Sequence, residues 1–286
     1  LIPWRQPNTV TTEAESVGIA WAGDSWIAAA FDDAAFLEAA VAEEIGGLWG
    51  RYGETATTIL VGVPIGLVGS VDPEVATSTS ASASASASAS ASTGSTADTD
   101  RSSDPDRDCD VLARGHLGER ANAIVTPPSR EATRRRRFPA ARRVHQRTTG
   151  GELSEAAFEL APAIAAVDEL LQEVPESRQV LRGSHPELAF RVFAGEPLQY
   201  HPGTAGGYAE RMRILADHDH DAPPTVQSAA EAVAGTDVPI HGVLDALALG
   251  YTARPGHGEL RTLPDDPPSD PTGLPMELVY RAEDAL

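Results

Sequence analysis

The chain has 286 residues, of which 41% are hydrophobic, enough for a real core and one or two domains. Forty-two acids against 22 bases give a formal net charge of −20, and every one of the 22 bases is arginine. A single cysteine, Cys109, excludes an intrachain disulfide and a thiolate zinc cluster.

The acid excess with no lysine reads as adaptation to molar salt, where a dense carboxylate surface keeps a protein hydrated. Leu1 to Val10 has no apolar stretch of the kind a secretory leader carries. The longest apolar run, Ile59 to Val71, is interrupted by Gly62, Pro64, Gly66 and Gly69, and falls short of the about 20 residues a bilayer needs. A cytoplasmic protein without a membrane partner is expected.

In chain order, residues 1–16 form an N-terminal extension. Val17 to Trp21 and Trp26 to Phe31 read as two strands of a hairpin around Ala22-Gly23-Asp24. Asp33 to Tyr52 reads as a helix, with Phe36, Leu37, Val41, Ile45 and Leu48 on one stripe. Thr58 to Val63 reads as a buried strand stopped by Pro64. Residues 72–105, dominated by a Ser-Ala alternation, have little to bury and are expected to form a disordered insertion. That insertion divides one domain into 17–71 and 106–286. Beyond it, helices are predicted at Cys109 to Leu117, Leu153 to Leu160, Pro162 to Leu171, Pro186 to Ala194, Thr204 to Ala216 and Gly242 to Leu249. Short strands are predicted at Gln179 to Leu181 and Glu277 to Tyr280. An opening hairpin followed by alternating helices and strands means a mixed α/β fold.

Five segments, in order and spacing, resemble one known family: VGIAWAGDSW at 17–26, VGVPIGL at 61–67, RDCDVLARGHLG at 107–118, HPELAF at 185–190 and GVLDALALGYTA at 242–253. The family is domain-of-unknown-function number four hundred and twenty-nine, a group of predicted RNase H-like nucleases. The resemblance runs from about Val17 to Arg281 and skips the Ser/Ala tract; it is the set, not any one segment, that is specific. It implies an RNase H-like mixed sheet with surrounding helices and a helical insertion. It also implies metal-dependent phosphodiester hydrolysis with two Mg²⁺ or Mn²⁺ ions held by carboxylates.

The departures from the family pattern fall on those carboxylates. The first-strand acid is replaced by Ala20, the acid before Ile-Pro by Gly62, and the pair opening the last helix by His241 and Gly242. Asp245, one turn on, is the one expected metal ligand left, and Asp24 lies in the adjoining turn. A further family acid is Ala166 here, followed by Asp168. Two-metal cleavage is therefore expected to be impaired or lost. A second constellation survives: Arg107, Asp110 and Arg114 at i, i+3 and i+7, then Arg120, His185, Glu187 and Arg211. It reads either as a face that grips the phosphates of a nucleotide or nucleic acid, or as an internal ion-pair network with Asp110–Arg114 as an i, i+4 pair and Glu187 held by an arginine. Asp110, Glu187 and Asp245 are the candidate catalytic acids, and His185 with Asp110 or Glu187 would serve an enzyme of another class.

Three more features stand out. Residues 130–147 hold eight arginines and one acid, Glu131, which suits either phosphate backbones or a solvated helix paired with acidic surface elsewhere. Asp217-His218-Asp219-His220-Asp221 has metal-ligand residue types but reads as an exposed loop before Pro223-Pro224. Gly203, Gly206 and Gly207 precede a helix without the strand and Lys-Ser/Thr pair of a phosphate loop, and His201, Pro202 and Gly203 stand where the family often places lysines.

Overall fold

The computed structural model describes residues 14–33, 35–69, 106–256 and 258–286; most of the N-terminal extension and the whole of the 72–105 insertion lie outside the described residues. Strands β1 (Ser16–Trp21) and β2 (Trp26–Phe31) form the predicted antiparallel hairpin, in register from Ser16↔Phe31 to Trp21↔Trp26. Its turn closes through Ala22 N–H to Ser25 O at 2.8 Å, with Gly23 at φ 101°, a region open to glycine at little steric cost.

The predicted helix from Asp33 to Tyr52 does not form as one element. Phe36–Ala42 is instead a third strand, β3, and only Ile45–Tyr52 is helical, α1. The cause is tertiary. Asp32 N–H bonds Ala35 O at 3.1 Å and Ala35 N–H bonds the Asp32 carboxylate at 2.6 Å. That tight turn lays the next residues antiparallel along β2, where ladder pairing outweighs the helix preference of Leu, Glu and Ala.

Strand β4 (Thr58–Val61) runs parallel to β1, and β5 (Leu181–Gly183) parallel to β4, giving a five-stranded sheet in the order β3-β2-β1-β4-β5. This is the expected RNase H-like mixed sheet. Between β4 and β5 lies the helical insertion: α2 (Asp108–Leu117), a 3₁₀ turn Gly118–Ala123, α3 (Arg130–Thr133), α4 (Phe138–Thr149), α5 (Glu155–Glu159), α6 (Ala161–Glu173) and a second 3₁₀ turn Pro175–Gln179. The short strand predicted at Gln179 starts two residues later. After it come α7 (Pro186–Ala194), α8 (Ala205–His218), α9 (Ala222–Ala232) and α10 (Ile240–Ala253). Strands β6 (Glu259–Leu263) and β7 (Leu278–Ala282) form a separate ribbon, joined to the chain after β5 by a Ser184–Val279 bridge.

Alternation along β1 and β2 sorts the two cores. Val17, Ile19, Trp26, Ala28 and Ala30 pack with Leu48, Tyr52, Ile164 and Val167, on the side of α1 and α6. Ala20, Ile27, Ala29 and Phe31 pack with Leu244, Leu247 and Leu249 of α10. A small separate cluster of Ala132, Ala141, Leu153 and Ala157 supports α3 to α5.

Candidate functional site

The positions at which the resemblance expects carboxylates fall together. Gly62 N–H donates to Ile19 O at 2.8 Å, which sets Ala20 and Gly62 beside each other where β1 and β4 end. Both face α10. Ala20 is 2% exposed, in a cluster with Ile27, Leu60 and Leu244. A Cβ on Gly62 would stand 3.2 Å from Leu249 Cδ1 and 3.4 Å from Pro186 Cδ, and one on Gly242 would stand 3.4 Å from the Ala22 methyl. Asp245 follows Gly242 by one turn of α10, while Asp24 is exposed in the hairpin turn. Apolar side chains adjoin these positions, and Asp245, the one expected carboxylate left, cannot supply the several oxygens two hard cations need. The residues present do not fit a two-metal centre. Among the described residues there is no group of three or more His, Cys, Asp or Glu able to hold a metal ion.

Asp245 has an unusual environment. Burial pushes its carboxyl up to about 7, against the Arg211 guanidinium, which favours the anion, and with the help of the Glu187 charge. Burial, with Arg211 and His201 nearby, also lowers the His241 imidazole.

The second constellation is committed inside the molecule. Arg107, fully buried, forms a bidentate pair with Asp110 (2.8 and 2.5 Å) and donates to Ile65 O at 2.6 Å and Gly66 O at 3.2 Å. It thereby ties the start of α2 to the Pro-Ile-Gly turn after β4. The i, i+4 pair between Asp110 and Arg114 does not form. Arg107, the residue that precedes α2, takes Asp110, and Arg114 reaches Asp106 (2.5 Å), Ile124 O (2.8 Å) and the Thr126 hydroxyl (2.9 Å). Glu187 lies between Arg120 (2.8 Å) and the fully buried Arg211 (2.5 Å), and Arg211 also donates to Tyr200 O and Gly207 O. His185 caps α7, its Nδ1 accepting from Glu187 N–H at 3.2 Å, and burial lowers its pKa. A third buried network was not singled out by sequence. Arg130 bridges Asp168 (2.9 Å) and Asp270 (2.6 Å), and Asp270 accepts from Leu67 N–H at 2.9 Å, clamping the same turn that Arg107 holds. Sequence displays Arg130 only as one of the eight arginines of 130–147, and Asp168 only as the acid that follows Ala166.

The rest of that run faces water. Arg134 to Arg137 make the turn between α3 and α4, and Arg142, Arg143 and Arg147 line the outer face of α4; all seven are exposed. The inner face carries Ala141 and His145, and His145 Nδ1 accepts from Ser129 N–H at 3.0 Å, fastening α4 beneath the arginines. One ion pair, Arg142–Glu152 at 2.6 Å with both side chains more than half exposed, reaches these seven among the described residues.

The 217–221 segment, read as an exposed loop, is exposed for the most part, but only 219–221 lie between helices. Asp217 and His218 end α8, Asp221 N–H bonds the Asp219 carboxylate at 2.9 Å, and α9 begins at Ala222 with both prolines in its first turn, where they need no N–H partner. The glycines at 203–207 serve packing: Thr204 caps α8 through Gly207 N–H at 3.0 Å, and a Cβ on Gly207 would lie 2.0 Å from His201 O.

A family model described as "Protein of unknown function (DUF429)" matches residues 18–269. No curated protein and no solved structure matches the chain.

Proposed function

The chain belongs to the DUF429 family, and on that premise we propose that it is a nucleic-acid-binding protein of RNase H-like fold. It holds phosphate backbones on the arginine ridge of α3–α4 and does not cleave them by a two-metal route. One observation carries the reading: seven exposed arginines with a single ion pair among them, in a chain of net charge −20. In the other candidate phosphate face, Arg107, Arg114, Arg120 and Arg211 are each paired with a carboxylate of the chain itself, although Arg211 Nε meets no partner among the described residues. The arginines also suit a protein adapted to a salt-rich cytoplasm. At 1 M salt the Debye length is about 3 Å, so a diffuse field is extinguished and only contact pairs persist. A guanidinium fork makes such pairs bidentately, where an ammonium group offers a point charge. The reading needs neither Mg²⁺ nor Mn²⁺.

The test is fluorescence anisotropy with a labelled duplex of about 20 base pairs and the matching single strand, titrated at several KCl concentrations. Binding should weaken as salt rises, and replacing Arg135, Arg136, Arg142, Arg143 and Arg147 by glutamine should flatten the slope of log K against log salt by about 0.9 for each phosphate no longer neutralised. These side chains are exposed, so the variant should fold as the parent does. Unchanged affinity in that variant, or metal-dependent cleavage by the parent that Asp245→Ala abolishes, overturns the reading.

A further inference from the structure

At the far end of α10 from Asp245, the α8–α9 junction, the last turn of α10 and the start of β3 line two adjoining open clefts of about 390 and 230 Å³. Asp219, Asp221, Tyr251 and Arg254 line both. Sites for small ligands typically run from about 300 to 1,000 Å³ and combine flat apolar walls with a few directed polar groups.

The walls have that character. The His218 ring stacks on Phe193 with centroids 3.9 Å apart and planes at 23°, and meets Tyr251 edge-on at 5.7 Å. The imidazole is thus held as a flat surface although His218 is exposed. The Arg254 guanidinium lies over two rings, 5.5 Å from the Tyr251 centroid and 5.8 Å from that of Phe31. Its one ion pair, to Asp219, is long at 3.5 Å, and its remaining N–H groups meet no acceptor among the described residues. Arg114, Arg120 and Arg130, also partly buried, are by contrast each satisfied at 2.5–2.8 Å. The carbonyl end of α10 would normally repel an anion. Arg281 covers it, donating to Thr252 O (2.9 Å), Ala253 O (3.2 Å) and Gly258 O (3.1 Å). Asp221, exposed and lining both clefts, offers carboxylate oxygens to N–H donors.

We propose that this cleft binds a nucleoside monophosphate, the base against the exposed His218 ring with its N–H edge on Asp221, and the phosphate on Arg254. A plain anion would have no use for the stacked rings or the carboxylate, and an amine would be repelled by Arg254. Guanine, with two adjacent N–H donors for one carboxylate, is the best complement. The site is separate from the arginine ridge and does not depend on nucleic-acid binding there.

Isothermal titration calorimetry of the full chain in molar KCl, with GMP, AMP, CMP, UMP and inorganic phosphate, tests the proposal. GMP should bind with one-to-one stoichiometry. Arg254→Gln should weaken it at least about tenfold, the loss expected for a charge-assisted contact, and His218→Ala should also weaken it. Asp221→Asn should narrow the preference for GMP over UMP, and glutamine at Arg142, Arg143 and Arg147 should change nothing. No saturable binding of any nucleotide, phosphate binding as tightly as GMP, or loss of binding in the ridge variant instead of Arg254→Gln would each overturn the proposal. His218 and Asp221 are surface residues, so at least these two variants report on a folded protein.

Discussion

Glu187 sits between two guanidiniums, one of them wholly out of water, and its neighbour across the cluster is a carboxylate with no such support. Asp245 has Arg211 near it, but Arg211 already spends its Nη groups on Glu187, Tyr200 O and Gly207 O. Burial therefore dominates and raises the carboxyl to about 7 from an ordinary 3.8. The sign of the consequence follows. Between those values the folded protein keeps a proton that the unfolded chain sheds, so stability is greatest at acid pH and falls as pH rises toward 7. Asp245→Asn fixes the neutral form, and its advantage over the parent should grow from about pH 4 to pH 7 and then level off, reaching on the order of 2 kcal/mol. Melting curves of both proteins across that range in molar KCl check it; a constant difference would mean that Asp245 is well solvated. Sequence displays the residue types of this cluster and their helices. It does not display which acid takes which arginine: Asp110 is taken by the residue just before its helix, because Arg107 must also reach the carbonyls of Ile65 and Gly66, contacts that exist only after β4 and α2 have met.

Helix α10 lies directly on β1, and glycines make the approach possible. A Cβ on Gly18 would fall 2.1 Å from Gly250 N and 2.2 Å from Ala246 O, and one on Gly250 would fall 2.4 Å from the Phe31 ring. Gly18→Ala should therefore push α10 off the sheet and destabilise by about 3 kcal/mol, the upper part of the usual overpacking range, since backbone cannot swing aside as a side chain does. Gly50, inside α1 with nothing within 4 Å of its added Cβ, is the opposite case. Gly50→Ala should stabilise by about 0.5–1 kcal/mol, the helix propensity difference. Chemical denaturation of both variants separates the two glycines, and a similar midpoint for both would contradict the close approach. Elements whose signal is local were legible: the β1–β2 hairpin from its turn, α7 from Pro186, α10 from its apolar run. Strand β3 was not, since Phe36 to Ala42 carries good helix formers at helical spacing and becomes a strand only through the turn at Asp32 and the ladder to β2. Helix α9 was hidden by Pro223-Pro224, which break a helix interior yet are tolerated in a first turn.

At the scale of the whole molecule, charge is distributed unevenly between inside and outside. The pairs Arg107–Asp110, Arg211–Glu187 and Arg130–Asp270 are sheltered from water and little affected by ionic strength. What salt does act on is the exposed excess behind the net charge of −20. At 0.1 M salt the Debye length is about 10 Å, so surface carboxylates repel one another across the fold, and at 1 M it is about 3 Å and the repulsion is confined to immediate neighbours. The unfolded chain spreads the same charges further apart, so the folded state gains more from screening. The melting temperature should rise between 0.1 and about 2 M KCl, by on the order of 10 °C for a gain of a few kcal/mol in a domain of this size. The same titration should weaken the nucleic-acid binding we propose for the arginine ridge, because returning counterions would compete with each arginine for its phosphate. The two slopes have opposite signs. Binding that fell at low salt along with the melting temperature would trace to unfolding, whereas binding strongest at the lowest salt that keeps the chain folded would trace to the seven arginines. A melting temperature flat across the range would mean that the acid excess is neutralised within the fold, and the reading of the composition as salt adaptation would then fail.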